Sequence, residues 1–199
     1  MSGKNTFEQQ CYTLGYQYVA GVDEVGMGCL AGPVVAAAVI LPRTGIPRGI
    51  DDSKKLTPKK REELDLKIRE KALCFAIAMA SVEEIDTINI FHAAKLAMIR
   101  AVQALATAPD YLLIDGKHGL NHPIAQKTIV QGDHLSVSIG AASILAKVHR
   151  DRMMAEMDTA YPGYSFASHK GYGSVDHRKA LQNLGRSPIH RKSFSWTPV

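Results

Sequence analysis

Residues 18–41 read YVAGVDEVGMGCLAGPVVAAAVIL, two apolar segments on either side of a glycine-rich turn. Tyr18–Asp23 and Val34–Leu41, the latter closed by Pro42, are short and rich in valine and alanine, so both read as strands. Asp23 and Glu24 end the first. Neighbouring side chains of a strand point to opposite faces, so these two carboxylates serve one place only if the chain turns there. Gly26 and Gly28 make such a turn plausible. The run from Gly26 to Ala31 also fits the dinucleotide fingerprint GxGxxG/A after a strand, with Asp51 and Asp52 roughly 20 residues on. Against that reading, Asp23 and Glu24 would set two negative charges beside a pyrophosphate. Gly32-Pro33 and the valines that follow also lead into a strand, not the required helix. No GK[ST] follows, so it is not a Walker loop. What remains is a tight hairpin, or a loop whose bare backbone approaches a ligand closely.

Beyond Leu41 a turn-rich stretch, PRTGIPRGIDDS, leads to Thr57-Pro58. Thr57 reads as a helix cap and Pro58 as the first helical residue, with Leu64 and Ile68 at i, i+4 in a helix ending near Lys71. Leu73–Val82 reads as a third strand, 90–106 as a helix stopped by Pro109, Tyr111–Asp115 as a fourth strand and Thr128–Val130 as a short fifth. A long alanine-rich helix spans 139–157, and after Tyr161-Pro162-Gly163 the chain turns polar, with a last helix over 175–184. Strands interleaved with helices imply an α/β protein, a mixed sheet with helices packed on it.

Asp115 ends the fourth strand in LLIDGK, and Asp133 follows the fifth in IVQGDH. With Asp23 and Glu24 they make four carboxylates, each preceded by apolar residues and carried to the end of a buried element. Adjacent strand ends can bring them together, where they repel and raise one another's pKa. A divalent cation removes that penalty, and oxygen-only ligands suit Mg²⁺ or Mn²⁺ better than zinc. Taken singly, each is better explained as an acidic loop residue that caps a helix or meets water; for the four together that explanation is weaker.

The 199 residues suit one domain, or one domain with a small appendage, and a 46% hydrophobic content supplies a core. No apolar run reaches the roughly 18 residues that cross a bilayer. Residues 1–10 are polar and lack the apolar segment of a signal peptide, so the expected location is cytoplasmic. Cys11, Cys29 and Cys74 show no zinc spacing; Cys29 and Cys74 read as small core residues. Net charge is +5 and the pI about 9.1. Lys54, Lys55, Lys59, Lys60 and Arg61 crowd one segment, and Arg186, His190, Arg191 and Lys192 form a basic tail. A basic surface around an acidic centre is what a metal-using enzyme on nucleic acid needs, although a solvated basic face explains the charge alone.

The segments AGVDEVGMGCLAGPVVAAAV (20–39), DSKKLTPKKREEL (52–64), LLIDG (112–116), QGDHLSVSIGAASILAKVHRD (131–151), HKGYGS (169–174) and HRKSF (190–194) together resemble ribonuclease HII, the bacterial type 2 ribonuclease H. The resemblance implies a ribonuclease H-like fold, a central mixed five-stranded sheet flanked by helices. It implies a catalytic domain over 1–160 and a small helical C-terminal extension over 161–199 packing on the substrate groove. The implied activity is endonucleolytic: hydrolysis of the RNA strand of RNA–DNA hybrids and nicking 5′ of ribonucleotides embedded in duplex DNA. Two Mg²⁺ or Mn²⁺ ions would be used, leaving 5′-phosphate and 3′-hydroxyl ends. The setting implied is DNA replication and ribonucleotide excision repair, by a cytoplasmic monomer with no membrane association.

Residue by residue, the resemblance makes Asp23, Glu24, Asp115 and Asp133 the catalytic metal ligands. It makes Gly26-Met27-Gly28 the loop that reads the ribose 2′-hydroxyl. The family usually has arginine between these glycines, so Met27 is a departure that removes any phosphate contact or loop-anchoring bond from that arginine. Tyr172 matches the tyrosine that stacks on the sugar beside the RNA–DNA junction. Ser53, Lys54 and Lys55 match a phosphate-contacting segment, and Ser143 and Lys147, one helical turn apart, face the duplex. His169 and Lys170 are further candidate phosphate contacts, and His177 reads as structural. Alternative readings are a catalytically impaired hybrid-binding protein, another ribonuclease H-like nuclease or strand transferase, and, from the glycine loop alone, a nucleotide-dependent oxidoreductase.

Overall fold

The strands β1 (Val19–Val25), β2 (Val34–Ile40), β3 (Cys74–Ala80), β4 (Tyr111–Asp115) and β5 (Ala125–Ile129) form one mixed sheet in the order β3-β2-β1-β4-β5. β1 pairs antiparallel with β2, and β2 with β3, whereas β4 lies parallel to both β1 and β5. This computed structural model describes residues 5–199; residues 1–4, the start of the polar N-terminal stretch, lie outside them.

Both faces of the sheet are covered, which is why β2 reads as continuous valine and alanine, with all seven residues buried. On one face Ala20, Val22, Ala36 and Ala38 pack with Ala93, Ala97 and Ala101 of α3 (Val82–Gln103). On the other, Val35, Ala37 and Val39 meet Leu64 and Ile68 of α2 (Pro58–Lys71) together with Ala141, Ala142 and Leu145 of α5 (Val137–Ala160). Alanine at these positions lets the helices approach closely. The expected Thr57 cap of α2 is present: its side chain accepts the Lys60 N–H. At the C-terminal end, α6 (Phe166–His169) and α7 (Val175–Leu184) bury Phe166, Tyr164 and Ala180 against Ala31 and Met154.

Several boundaries differ from the sequence reading. A first helix, α1 (Thr6–Thr13), carries no apolar stripe and buries only Glu8 and Cys11, so no periodicity announces it. α3 begins at Val82, eight positions before 90, because Ser81 and Glu84 form a reciprocal capping box. The helix kinks at Asn89, whose φ is +64° and whose side chain accepts the N–H groups of Phe91 and His92, so it caps the second stretch. Ser81 and Val82 therefore leave the third strand. β5 starts three residues earlier than 128; it is an edge strand of alternating exposure, AQKTI, not an apolar run. β1 continues past Asp23 to Val25, paired Asp23↔Ala37 and Glu24↔Ala36, so the chain does not turn between the two acids. The turn comes at Gly26, where φ is +98°.

Candidate active site

Parallel pairing of Val22 with Ile114 sets the ends of β1 and β4 side by side, so Asp23 and Asp115 are neighbours. The Asp115 carboxylate accepts the Gly132 N–H at 2.7 Å, which ties β4 to the short helix α4 (Gly132–Leu135) that carries Asp133. Asp23 accepts the N–H of Glu24 at 2.7 Å and also the hydroxyl of Ser143 on α5. The four acids picked out by strand ends thus meet at one end of the sheet. β1 runs straight through Asp23 and Glu24; the site lies at the strand end, where both sides of β1 are reachable.

Their fields overlap. Burial, then Glu24 and Asp115, hold the Asp23 carboxyl well above the ordinary range. Glu24 is pushed up to about 7 by burial, then by Asp115, with Lys54 opposing. Asp133 is raised by burial, then by Asp52 and Asp115. Among the described residues no three His, Cys, Asp or Glu side chains close into a ready ligand cage; the carboxylates act on one another through space. Four mutually repelling oxygen donors fit a hard divalent cation. Asp52 is the acid that the strand-end argument missed: it lies in a loop, and only the fold brings its carboxyl into hydrogen-bonding reach of Asp133.

A cavity of about 460 Å³ opens beside Glu24 and is lined by Ser53, Lys54, Arg61, Ser143, Lys147 and Tyr172. Five of the residues assigned to substrate from the sequence therefore share one wall system with Glu24. Lys55 lies around the corner, in a cavity of about 300 Å³ with Asp115 and Asp133. The Ser53 and Ser143 hydroxyls bond each other at 3.0 Å, and Arg61 holds the backbone carbonyls of Ser53 and Leu56. Lys147 pairs with Asp151 at 2.7 Å and stands 5.8 Å from the Tyr172 ring. Lys170 lines an adjoining groove of about 590 Å³ with Arg61, Lys147 and Arg152. His169 is corrected: one ring nitrogen accepts the Gly171 N–H and the other faces the Tyr164 carbonyl at 2.7 Å, so neither is left for a phosphate.

The glycine loop runs into β2, not into a helix, and so lacks the helix N-terminus a dinucleotide pyrophosphate requires. It is pinned from behind. Arg191, only 1% exposed, donates to the carbonyls of Gly26, Met27 and Gly32. Arg150, fully buried, donates to those of Ala31, Pro33 and Lys170. Turning the Gly26 and Met27 carbonyls inward turns the N–H groups of Met27 and Gly28 the other way, because the two dipoles of a peptide plane are antiparallel. Arg191 thus anchors the loop, and the basic tail of the sequence reading is at this point an interior group. Met27 packs against the core cluster that holds Ala94 and Met98, and lines a cavity with Phe91, Glu24 and Asp115.

Arg191→Lys keeps the charge but cannot span three carbonyls. Each buried carbonyl left bare costs about 1–3 kcal/mol. The variant is expected to melt several degrees lower and to lose more in kcat/KM than in metal affinity; isothermal titration beside steady-state kinetics measures both.

The ribonuclease HII family model matches residues 20–197. Ribonuclease HII of Geobacter sulfurreducens is 55% identical over 189 residues, covering 94% of this chain and 87% of that protein. Ribonuclease HII of Syntrophotalea carbinolica is 52% identical over 188 residues, covering 94% and 90%. Among solved structures, the crystal structure of ribonuclease H2 from Pyrococcus horikoshii OT3 superposes with a TM-score of 0.74 at 25% identity, covering 89% of this chain and 94% of that one.

Proposed function

This chain belongs to the ribonuclease HII family and is an endonuclease acting on RNA–DNA hybrids; we propose that it hydrolyses the RNA strand with Asp23, Glu24, Asp115 and Asp133 as the metal-holding carboxylates, and that it also nicks 5′ of ribonucleotides embedded in duplex DNA. The observation that carries this reading is the meeting of these acids at one end of the sheet, with Glu24 on the cavity lined by Lys54, Lys147 and Tyr172, and Asp115 and Asp133 on a second cavity that Lys54 also lines. Residues 1–160 are read as the catalytic domain and 161–199 as an extension that completes the groove.

Mg²⁺ or Mn²⁺, held by the four carboxylates, would supply charge neutralisation at the scissile phosphate and activate the attacking water, leaving 5′-phosphate and 3′-hydroxyl ends. Around that centre, Lys54 and Lys147 neutralise the flanking phosphates, and Lys55 and Ser53 follow the same strand. The outward N–H groups of Met27 and Gly28, set by Arg191, face the 2′-hydroxyl that distinguishes RNA. Ser143 orients Asp23 from the α5 side and helps place the Ser53 loop. Tyr172 offers its ring, 40% exposed, to a sugar at the junction. No helix among the described residues is long and apolar enough to cross a membrane.

Digestion of two labelled duplexes, a full RNA–DNA hybrid and a DNA duplex with one ribonucleotide, with Mg²⁺ and Mn²⁺ in parallel, tests the reading. Cuts in both, 5′ of the single ribonucleotide in the second, are expected. KM should rise steeply between 50 and 200 mM salt, as for any site that neutralises phosphates (roughly one decade of affinity for each decade of salt per phosphate contact). Cleavage without added metal, or of plain DNA at an equal rate, would refute it.

A further inference from the structure

We propose that His177 and His190 form a positioning pair for Tyr172, holding it at the rim of the active-site cavity through a one-way chain of hydrogen bonds. The proposal rests on the reading of Tyr172 as a substrate-facing residue and names what keeps it there.

The direction of the chain follows from its two ends. The Ser187 N–H donates to His190 Nδ1 at 2.9 Å, so Nδ1 is bare and the hydrogen of a neutral ring sits on Nε2. At the other end His177 Nδ1 lies 2.9 Å from the Tyr172 carbonyl, which can only accept, so this nitrogen carries its hydrogen and His177 Nε2 is bare. The two Nε2 atoms face each other at 2.9 Å, and His190 donates to His177. Each link is thereby fixed: Ser187 N–H to His190, His190 to His177, His177 to the Tyr172 carbonyl. A proton added to His177 would set two N–H groups against each other at the central link, and one added to His190 would set Nδ1–H against the Ser187 N–H; either breaks the chain.

The surroundings favour the neutral pair. His177 is fully buried and His190 only 3% exposed. The Phe166 ring packs on both, Tyr164 lies 5.0 Å from His190, and His169 stacks on His177 at 4.3 Å. The charged and titratable groups bearing on the pair are His169 and Arg186, both of which oppose a further positive charge; Arg191 follows His190 in the chain and Tyr172 receives the chain's last bond. Burial pushes His177 down, and His190 down to about 4. Neither imidazole lines the cavities beside the carboxylates. They act through Tyr172, whose backbone bridges to Cys29 of the glycine loop and whose ring lines the cavity with Glu24 and Lys147. Ala31 bridges to His190 itself, so the same pair ties the two tail segments that flank the loop.

The sign of the pH effect is set by the lowered pKa. The unfolded chain takes up the proton near pH 6.5 and folded His190 only near 4, so the pair's contribution is complete above about 6.5 and lost as pH falls toward 4.

The test is a double-mutant cycle of His177→Gln with Tyr172→Ala, with kcat and KM measured on a duplex carrying one ribonucleotide from pH 5 to 8, and thermal unfolding followed at each pH. His177→Gln should raise KM about tenfold with kcat within about threefold, and should add less than about twofold in the Tyr172→Ala background. Folded His190 titrates only near 4, so the chain is intact across this range: the KM ratio of variant to wild type should stay constant from pH 8 to 5 while both proteins stay folded. His190→Gln should repeat the pattern and serves if His177→Gln does not fold. Effects that multiply across the cycle, or a KM change that merely follows the folded fraction, would overturn the pair's role. Unchanged kinetics for Tyr172→Ala alone would overturn the reading of Tyr172 instead, whatever the histidine variants do.

Discussion

Asp23→Asn removes cleavage while leaving the fold and hybrid binding in place. Asp23 sits deepest of the four site acids, 5% exposed, with burial, then Glu24 and Asp115, raising its pKa and Ser143 and the Glu24 N–H holding its oxygens. An amide keeps the size and one acceptor but loses the charge that a cation requires. The loss of several kcal/mol of transition-state stabilisation corresponds to a fall in kcat of about a thousandfold or more. The same change relieves repulsion between buried carboxylates, so the melting temperature without metal should hold or rise. Gel-based turnover, calorimetric titration with Mn²⁺ and thermal unfolding read the three effects separately. Undiminished turnover would sink the assignment of Asp23, and a large fall in stability would show that it serves the fold more than the chemistry.

Gly21→Ala is expected to damage the fold itself. Gly21 lies in β1 on the face covered by α5, and a Cβ there would fall far inside van der Waals contact with the Ser138 carbonyl and the Ile139 nitrogen. Those are backbone atoms at the start of a helix and cannot swing away as a side chain would. α5 must move off the sheet, taking Ser143 and the adjoining helix α4 with Asp133 along with it. Overpacking of this kind costs about 3 kcal/mol or more, which for a chain of this size lowers the melting temperature by roughly 6–12 °C. Gly28→Ala is the matched control for stability, because a Cβ at Gly28 meets nothing within 4 Å and its φ is not positive. Equal melting temperatures for the two variants would show that α5 does not pack where it is described.

Much of the site was legible because strand ends are local features. An apolar run closed by Asp115, or by Asp23 and Glu24, marks a position on the sheet edge without any knowledge of the partner strand. The resemblance to known ribonuclease HII segments added roles for Ser53, Lys54, Ser143, Lys147 and Tyr172, and all five line the cavity beside Glu24. α1 was not legible because it buries just Glu8 and Cys11, and Glu8 is held by Ser136 and Ser138, about 130 positions away. Asp52 was not legible as a site residue because nothing local separates it from any other acid in a turn.

The sequence by itself determined the alternation of strands and helices and the places where carboxylates end strands, since periodicity and strand termini depend on near neighbours. Tertiary structure alone decided which basic residues lie inside. Arg150, Arg191 and His190 look like surface charge in the chain, and a buried polar group is costly unless its hydrogen bonds are met. They are met by carbonyls and ring nitrogens delivered from elsewhere: Gly26, Met27 and Gly32 for Arg191, and Ala31 and Pro33 for Arg150, each well over 100 positions away. No local pattern encodes those meetings, yet they turn a glycine loop and a tyrosine toward the carboxylates that the sequence had already placed.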